Sequence, residues 1–170
     1  MKKVLIIFGF VVTLLGCSLT SSYASDLEKH KTISEIGILS NAEKYDEALQ
    51  KCEAALVKYP DDPELYYWSA TIKASTGDKK SALADYDKVI ELNPKDGNAY
   101  VMRGICKSDL NDPIGAIEDY NKALEINPKD SSAYSMRACA KLDLGDFNGA
   151  NADLEVANKL YENLQTKGDS

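Results

Sequence analysis

Small and apolar positions return along this chain every 34 residues. Ala48, Ala82, Ala116 and Ala150 fall in one column, Tyr66, Tyr100 and Tyr134 in a second, and Tyr86 and Tyr120 in a third. Polar punctuation keeps the same period. Pro60, Pro94 and Pro128 are each followed two residues later by Asp62, Asp96 and Asp130, and a second set of aspartates, Asp78, Asp112 and Asp146, follows these by sixteen residues. The pattern predicts two helices per period. An aspartate at each entry can accept the free N–H groups of a first helical turn. Pro113 suits such a turn, and the proline late in each period ends the second helix. A hairpin of this kind cannot bury its apolar side alone, so the period predicts a stack of hairpins that share their cores.

The blocks are 29–62, 63–96, 97–130 and 131–164. With each numbered from 1, the third block places Tyr100, Gly104, Ala116, Tyr120, Ala123 and Pro128 at positions 4, 8, 20, 24, 27 and 32. The second places Tyr66, Ala70, Ala82, Tyr86, Val89 and Pro94 there. The fourth keeps Tyr134, Ala138, Ala150 and Ala157, with Leu154 at 24 and no proline. The first has Thr32 and Ile36 at 4 and 8 and keeps Ala48, Ala55 and Pro60. On these residues the chain resembles the tetratricopeptide repeat family. The resemblance implies an all-α, right-handed superhelical solenoid of four helix-turn-helix hairpins over 26–165, with 166–170 as a frayed tail. It also implies a partner that is another protein or peptide.

The stretch before the first block reads differently. Lys2 and Lys3 precede a 12-residue apolar run over 4–15, too short to span a hydrocarbon core of about 30 Å. Residues 1–24 are therefore expected to be an export signal with a Ser-rich tether. Two processing sites fit. Leu14-Leu15-Gly16-Cys17 resembles a lipobox, which implies cleavage before Cys17 and lipidation of that thiol, with the outer membrane favoured because Ser18 follows. Ser22-Tyr23-Ala24 instead resembles an ordinary cleavage site before Ser25, which gives a soluble periplasmic or secreted chain.

Composition narrows the partners. The 170 residues are 44% hydrophobic and 28% charged, ordinary globular values, with a net charge of −7. Loss of a leader carrying only Lys2 and Lys3 takes this to −9. Such a surface does not track a nucleic-acid backbone or bind anionic lipid, and membrane contact is expected only through the N-terminal anchor. Positions 21 and 28 are Leu49 and Leu56, Leu83 and Ile90, and Ile117 and Leu124, but Asn151 and Asn158 in the last block. That wet seam predicts that the stack stops at four hairpins without a separate capping helix.

By resemblance, positions 2, 5, 9, 12 and 13 of each first helix face a concave groove. Carried onto this chain, the candidate groove residues are Tyr67, Thr71, Asn98, Val101, Ile105, Asp109, Ser135, Cys139, Leu142 and Asp143. Family members that grip a C-terminal carboxylate place Asn at position 9 of one repeat and position 6 of the next. Gly37 and Trp68 stand there, so that clamp is absent. Arg103 and Arg137 occupy position 7, an apolar site in the family, and need carboxylate partners. The expected structural ion pairs are Asp85 with Arg103 and Asp119 with Arg137, between neighbouring hairpins. Pairing inside each hairpin, Arg103 with Asp119 and Arg137 with Asp153, is the alternative.

Cys52, Cys106 and Cys139 are expected as buried thiols, since their spacings fit neither a zinc site nor a disulfide framework. His30 is the sole histidine. No phosphate-binding loop, nucleophile elbow or zinc-protease motif is present. The sequence therefore points to a non-enzymatic scaffold in a bacterial cell envelope, without cofactor or metal. The alternative is a self-associating structural component, with Ile33, Ile36, Ile38 and Leu39 of the irregular first helix as its homotypic surface.

Overall fold

A computed structural model of the chain describes residues 23–168. These form eight helices and, among the described residues, no strand. Helix α1 covers 23–41. The others are α2 (Tyr45–Lys58), α3 (Pro63–Ser75), α4 (Lys79–Leu92), α5 (Gly97–Asp109), α6 (Pro113–Ile126), α7 (Ser131–Asp143) and α8 (Phe147–Gly168). They pair in order as four antiparallel hairpins, each packed on the next through its second helix, in a right-handed superhelical solenoid. Residues 1–22 of the expected signal and tether, Cys17 among them, lie outside the described residues.

All six expected aspartates cap helices. Asp62 accepts from the Glu64 and Leu65 amides, Asp78 from Ser81, Asp96 from Ala99, Asp112 from Gly115, Asp130 from Ala133 and Asp146 from Gly149. Helix α2 has Lys44 at its entry and no side-chain cap. The turn inside each hairpin has its own signature. Glu43, Gly77, Asn111 and Gly145, all at position 15, adopt φ of 58°, 91°, 63° and 77°. Glycine is free to do so; Glu43 does it against the usual Cβ clash.

The core is divided at the seams. Ile33, Ile36 and Cys52 of the first hairpin meet Leu65 and Ile72 of the second. Tyr86 and Ala82 meet Cys106 at the next seam. Tyr120, Ala123 and Leu124 meet Ala133 and Ala140 at the last. At position 24, Tyr120 is 1% exposed whereas Leu154, with no hairpin packed beyond it, is 37% exposed. Asn151 and Asn158 are exposed. Small position 8 is a true contact: a Cβ on Gly104 would stand 2.6 Å from the Tyr120 ring.

Three expectations change. Helix α1 already includes Tyr23 and Ala24, placed above in the signal and tether, and the Tyr59 hydroxyl donates to the Ser25 carbonyl at 3.1 Å. Helix α8 runs to Gly168 rather than fraying near Gln165. Ile33 and Ile36 are buried and Leu39 packs on the same cluster, so only Ile38 of that apolar set is presented to solvent. The first helix spends its greasy side on its own core.

Candidate functional site

The first helices of the hairpins face one another across a concave surface, where α3 touches α5 and α5 touches α7. A cleft of about 270 Å³ lies there, lined by Tyr67, Asn98, Val101, Met102, Ile105, Asp130, Ser132 and Met136. It continues past Tyr67 and Asn98 into a second recess of about 340 Å³ that includes Pro63, Glu64, Asn93 and Asp96. The floor is apolar and the rim carries Glu64, Asp96 and Asp130. No lysine or arginine lines either recess.

Four of the ten candidate groove residues, Tyr67, Asn98, Val101 and Ile105, meet in this cleft. Tyr67 is held edge-on against Tyr86, with ring centroids 5.8 Å apart at 74°. Thr71 braces the pair from behind. Its hydroxyl donates to the Tyr67 carbonyl at 2.8 Å and accepts from the Tyr86 hydroxyl at 3.1 Å. Burial pushes the Tyr67 and Tyr86 phenols up, so both stay neutral donors. The Ser135 hydroxyl donates to the Ser131 carbonyl at 2.9 Å. Asp109 is exposed but bound to Lys79 of the preceding hairpin at 2.7 Å. Leu142 and Asp143 are exposed toward the end of α7.

Cys139 is also exposed, in contrast to the burial expected of all three thiols. Position 9 opens onto the concave side, whereas Cys52 and Cys106 sit in seams. Burial pushes the Cys52 thiol up to about 12 and raises that of Cys106, which suppresses the nucleophilic thiolate. All three are free thiols.

Met102 and Met136 were not singled out as groove residues. Both stand at position 6, the column that holds Trp68, so the period itself carried the signal. Trp68 closes on Gly37, where a Cβ would lie 3.2 Å from the indole. The two positions that a carboxylate clamp would need are thus filled by a tryptophan–glycine contact.

The ion pairs expected between hairpins form inside them. Asp85 does not meet Arg103, nor Asp119 Arg137. Instead Arg103 grips Asp119 with Nε at 2.9 Å and Nη2 at 2.5 Å. Arg137 grips Asp153 at 2.8 and 2.6 Å in the same way. Positions 7 and 23 face each other across one antiparallel hairpin, which turns position 23 away from the next. Asp85 is accordingly taken by Ser69 and Lys73, each at 2.6 Å. Lys107 and Lys141 add to Asp119 and Asp153 at 2.9 and 2.8 Å.

The arginines do reach across the seam, but to position 25. Nη1 of Arg103 meets Asp87 at 2.6 Å, and Nη1 of Arg137 meets Asn121 at 2.7 Å. The hydrogen bonds it donates to Asp119, then to Asp87, hold the Arg103 guanidinium above its ordinary range. Burial alone would raise the Asp153 carboxyl, yet hydrogen bonds from Arg137 and Lys141 outweigh it and hold it below the usual value.

The remaining chemistry is sparse. His30 is exposed near the start of α1, with Nδ1 2.7 Å from the Asp26 carbonyl. Among the described residues no group of three or more His, Cys, Asp or Glu side chains is placed to hold a metal ion, and no helix is long and apolar enough to cross a membrane.

Comparisons with known proteins agree with this architecture. Three family models, each described as tetratricopeptide repeat, match residues 38–97, 97–130 and 119–150. Together they run from 38 to 150. A curated protein of Pseudomonas putida, "Probable biofilm formation methyltransferase WspC", is 32% identical over 60 residues, which is 35% of this chain and 14% of that protein. Solved structures of MamA share the fold. One crystal structure aligns with a TM-score of 0.77 at 20% identity over 81% of each chain. MamA from Desulfovibrio magneticus RS-1 aligns with a TM-score of 0.74 at 18% identity, over 79% of this chain and 76% of that one.

Proposed function

The chain belongs to the tetratricopeptide repeat family, and from that premise we propose that it is a non-enzymatic protein-interaction scaffold whose concave cleft holds a peptide segment of a partner protein. One observation carries this reading. A preformed apolar trough, shaped by Tyr67, Val101, Ile105, Met102 and Met136, opens between three helices and is rimmed only by carboxylates and neutral polar groups. Such a trough suits a segment with apolar anchors and a flanking basic residue. The methionines can repack around different anchors. Catalysis has no comparable support, because the two buried thiols are held protonated and the single histidine lies at the surface. The match to a methyltransferase covers too little of that protein to bring its activity here.

The reading extends to location. The leader pattern and Cys17 favour an exported protein of the bacterial cell envelope, tethered by lipid at Cys17 and facing the periplasm. Intact mass of the mature N-terminus tests this. An acylated Cys17 supports the anchor, and a free Ser25 replaces it with a soluble form. For the cleft, crosslinking in the native envelope should capture a partner that Tyr67→Ala, Val101→Glu and Ile105→Glu each reduce at least tenfold. Capture that survives all three substitutions would remove the concave face as the binding site.

A further inference from the structure

The turns inside the third and fourth hairpins are built alike. Lys107, Asp109, Leu110, Asp112 and Gly115 in one correspond to Lys141, Asp143, Leu144, Asp146 and Gly149 in the other. Each turn is fastened by the same bonds. The second aspartate caps the following helix through the Gly115 or Gly149 amide at 2.9 Å. Its own amide donates to the lysine carbonyl, again at 2.9 Å. A Cβ on either glycine would collide with the capping carboxylate. The lysine ammonium points inward to Asp119 or Asp153.

What these rigid turns hold outward is apolar. Leu110 is 38% exposed, Leu144 49%, Ile114 63% and Phe147 66%. The corresponding turn of the second hairpin carries Thr76, Lys79 and Lys80, and that of the first Ala42, Tyr45 and Asp46. Because α7 packs on both α5 and α6, the two apolar turns are neighbours on one edge of the stack. Exposed apolar side chains concentrated on a preorganised surface mark an interaction site.

Charge selects the occupant. Both turn lysines are spent inward, so the edge presents Asp112, Asp143 and Asp146, with Asp109 neutralised by Lys79. Asp143 has no ion pair among the described residues. An anionic membrane is repelled, and so is a second copy of a chain with a net charge of −7. Packed helices lie roughly 8–10 Å apart, and seven residues of α-helix rise about 10 Å. A helix with apolar side chains seven residues apart therefore matches the two turns.

We propose that this edge, separate from the concave cleft, docks a basic amphipathic helix of a partner protein. Its apolar side chains seat on the Leu110/Ile114 and Leu144/Phe147 pairs, and its lysines or arginines face Asp143 and its neighbours.

The probe is a synthetic 18-residue amphipathic peptide of leucine and lysine, titrated calorimetrically into the full chain at 0.15 M salt. Binding should weaken at least tenfold in Ile114→Lys/Phe147→Lys and in Leu110→Ser/Leu144→Ser, and stay unchanged in Val57→Ser, an exposed apolar replacement on the first hairpin. A version with glutamate for lysine should not bind. All four replaced side chains are exposed, so melting curves should hold; if the lysine pair fails to fold, the serine pair decides. Unchanged affinity in a folded edge variant overturns the proposal. So does equal loss in Val57→Ser, which would make the peptide's contact non-specific. Two further results also overturn it: dimerisation of the wild type that the edge substitutions abolish, and phosphatidylglycerol vesicles binding the edge while the peptide does not.

Discussion

In the first hairpin the side chains at positions 7 and 23 are Glu35 and Lys51; in the third they are Arg103 and Asp119. Both pairs are sixteen residues apart and close to hydrogen-bonding distance, at 2.7 Å in the first and 2.5 to 2.9 Å in the third. The signs are reversed and so are the surroundings. Glu35 and Lys51 keep 40% and 44% of their side-chain surface in water, whereas Asp119 keeps 3%. One geometry therefore does two jobs. In the first hairpin it decorates a wet flank, where solvent screening leaves an ion pair with little effect on stability. In the third it neutralises a buried carboxylate, and there the cost lies in leaving that charge alone.

The sharpest break of this comparison is Asp119→Ala, which leaves Lys107 without its carboxylate and Arg103 with Asp87 alone. Urea unfolding should show a loss of about 3 kcal/mol, against a far smaller loss for Glu35→Ala. Equal losses at the two sites would mean that burial does not set the value of the pair. Gly104→Val comes next, with an expected loss of about 1–3 kcal/mol, because its side chain meets the closed Tyr120 ring.

The fourth hairpin gives a pH test of the same pairing. The folded-state carboxyl of Asp153 is held low, so its contribution is complete above the ordinary carboxylate value near 3.9 and disappears as pH falls through the depressed folded value. Asp153→Asn should lower stability by about 1–3 kcal/mol at pH 7. The gap between variant and wild type should begin to narrow below about pH 4 and close as pH falls past the depressed folded value. A gap that persists there would assign the effect to shape rather than charge. A smaller change is Glu43→Gly, which relieves a left-handed residue and should raise stability by roughly 0.5–1 kcal/mol. Exchanging the charges of Glu35 and Lys51 should change stability least of all.

Local features were legible in the sequence because their causes are local. A cap needs only an aspartate three residues before an amide, and the 34-residue period marks every one. The seam positions followed from the same columns. What the period could not supply was direction. An aspartate at position 23 offers opposite charge to an arginine 18 residues ahead in the next hairpin and to one 16 residues back within its own. Only the facing of the two helices chooses between them. Position 25 was invisible for the same reason, since Asp87 and Asn121 reach the arginines only once the hairpins are stacked. The left-handed turn was hidden differently: Glu43 and Asn111 occupy the column of Gly77 and Gly145 without advertising the conformation. In the cleft, position 5 was readable by resemblance. The methionines at position 6 were not, because methionine fits a core and a groove wall alike.

The contact between Trp68 and Gly37 has an optical consequence. It is the sole indole of the chain, and it sits half-buried where the first hairpin leans on the second. Its emission therefore reports the opening of that single joint, while far-ultraviolet ellipticity averages over all eight helices. In a linear array stabilised by nearest-neighbour contacts the ends can melt before the middle. Superimposable curves from the two signals would make the array one cooperative unit, and an earlier red shift of the indole would reveal the first hairpin peeling away while the other three remain folded.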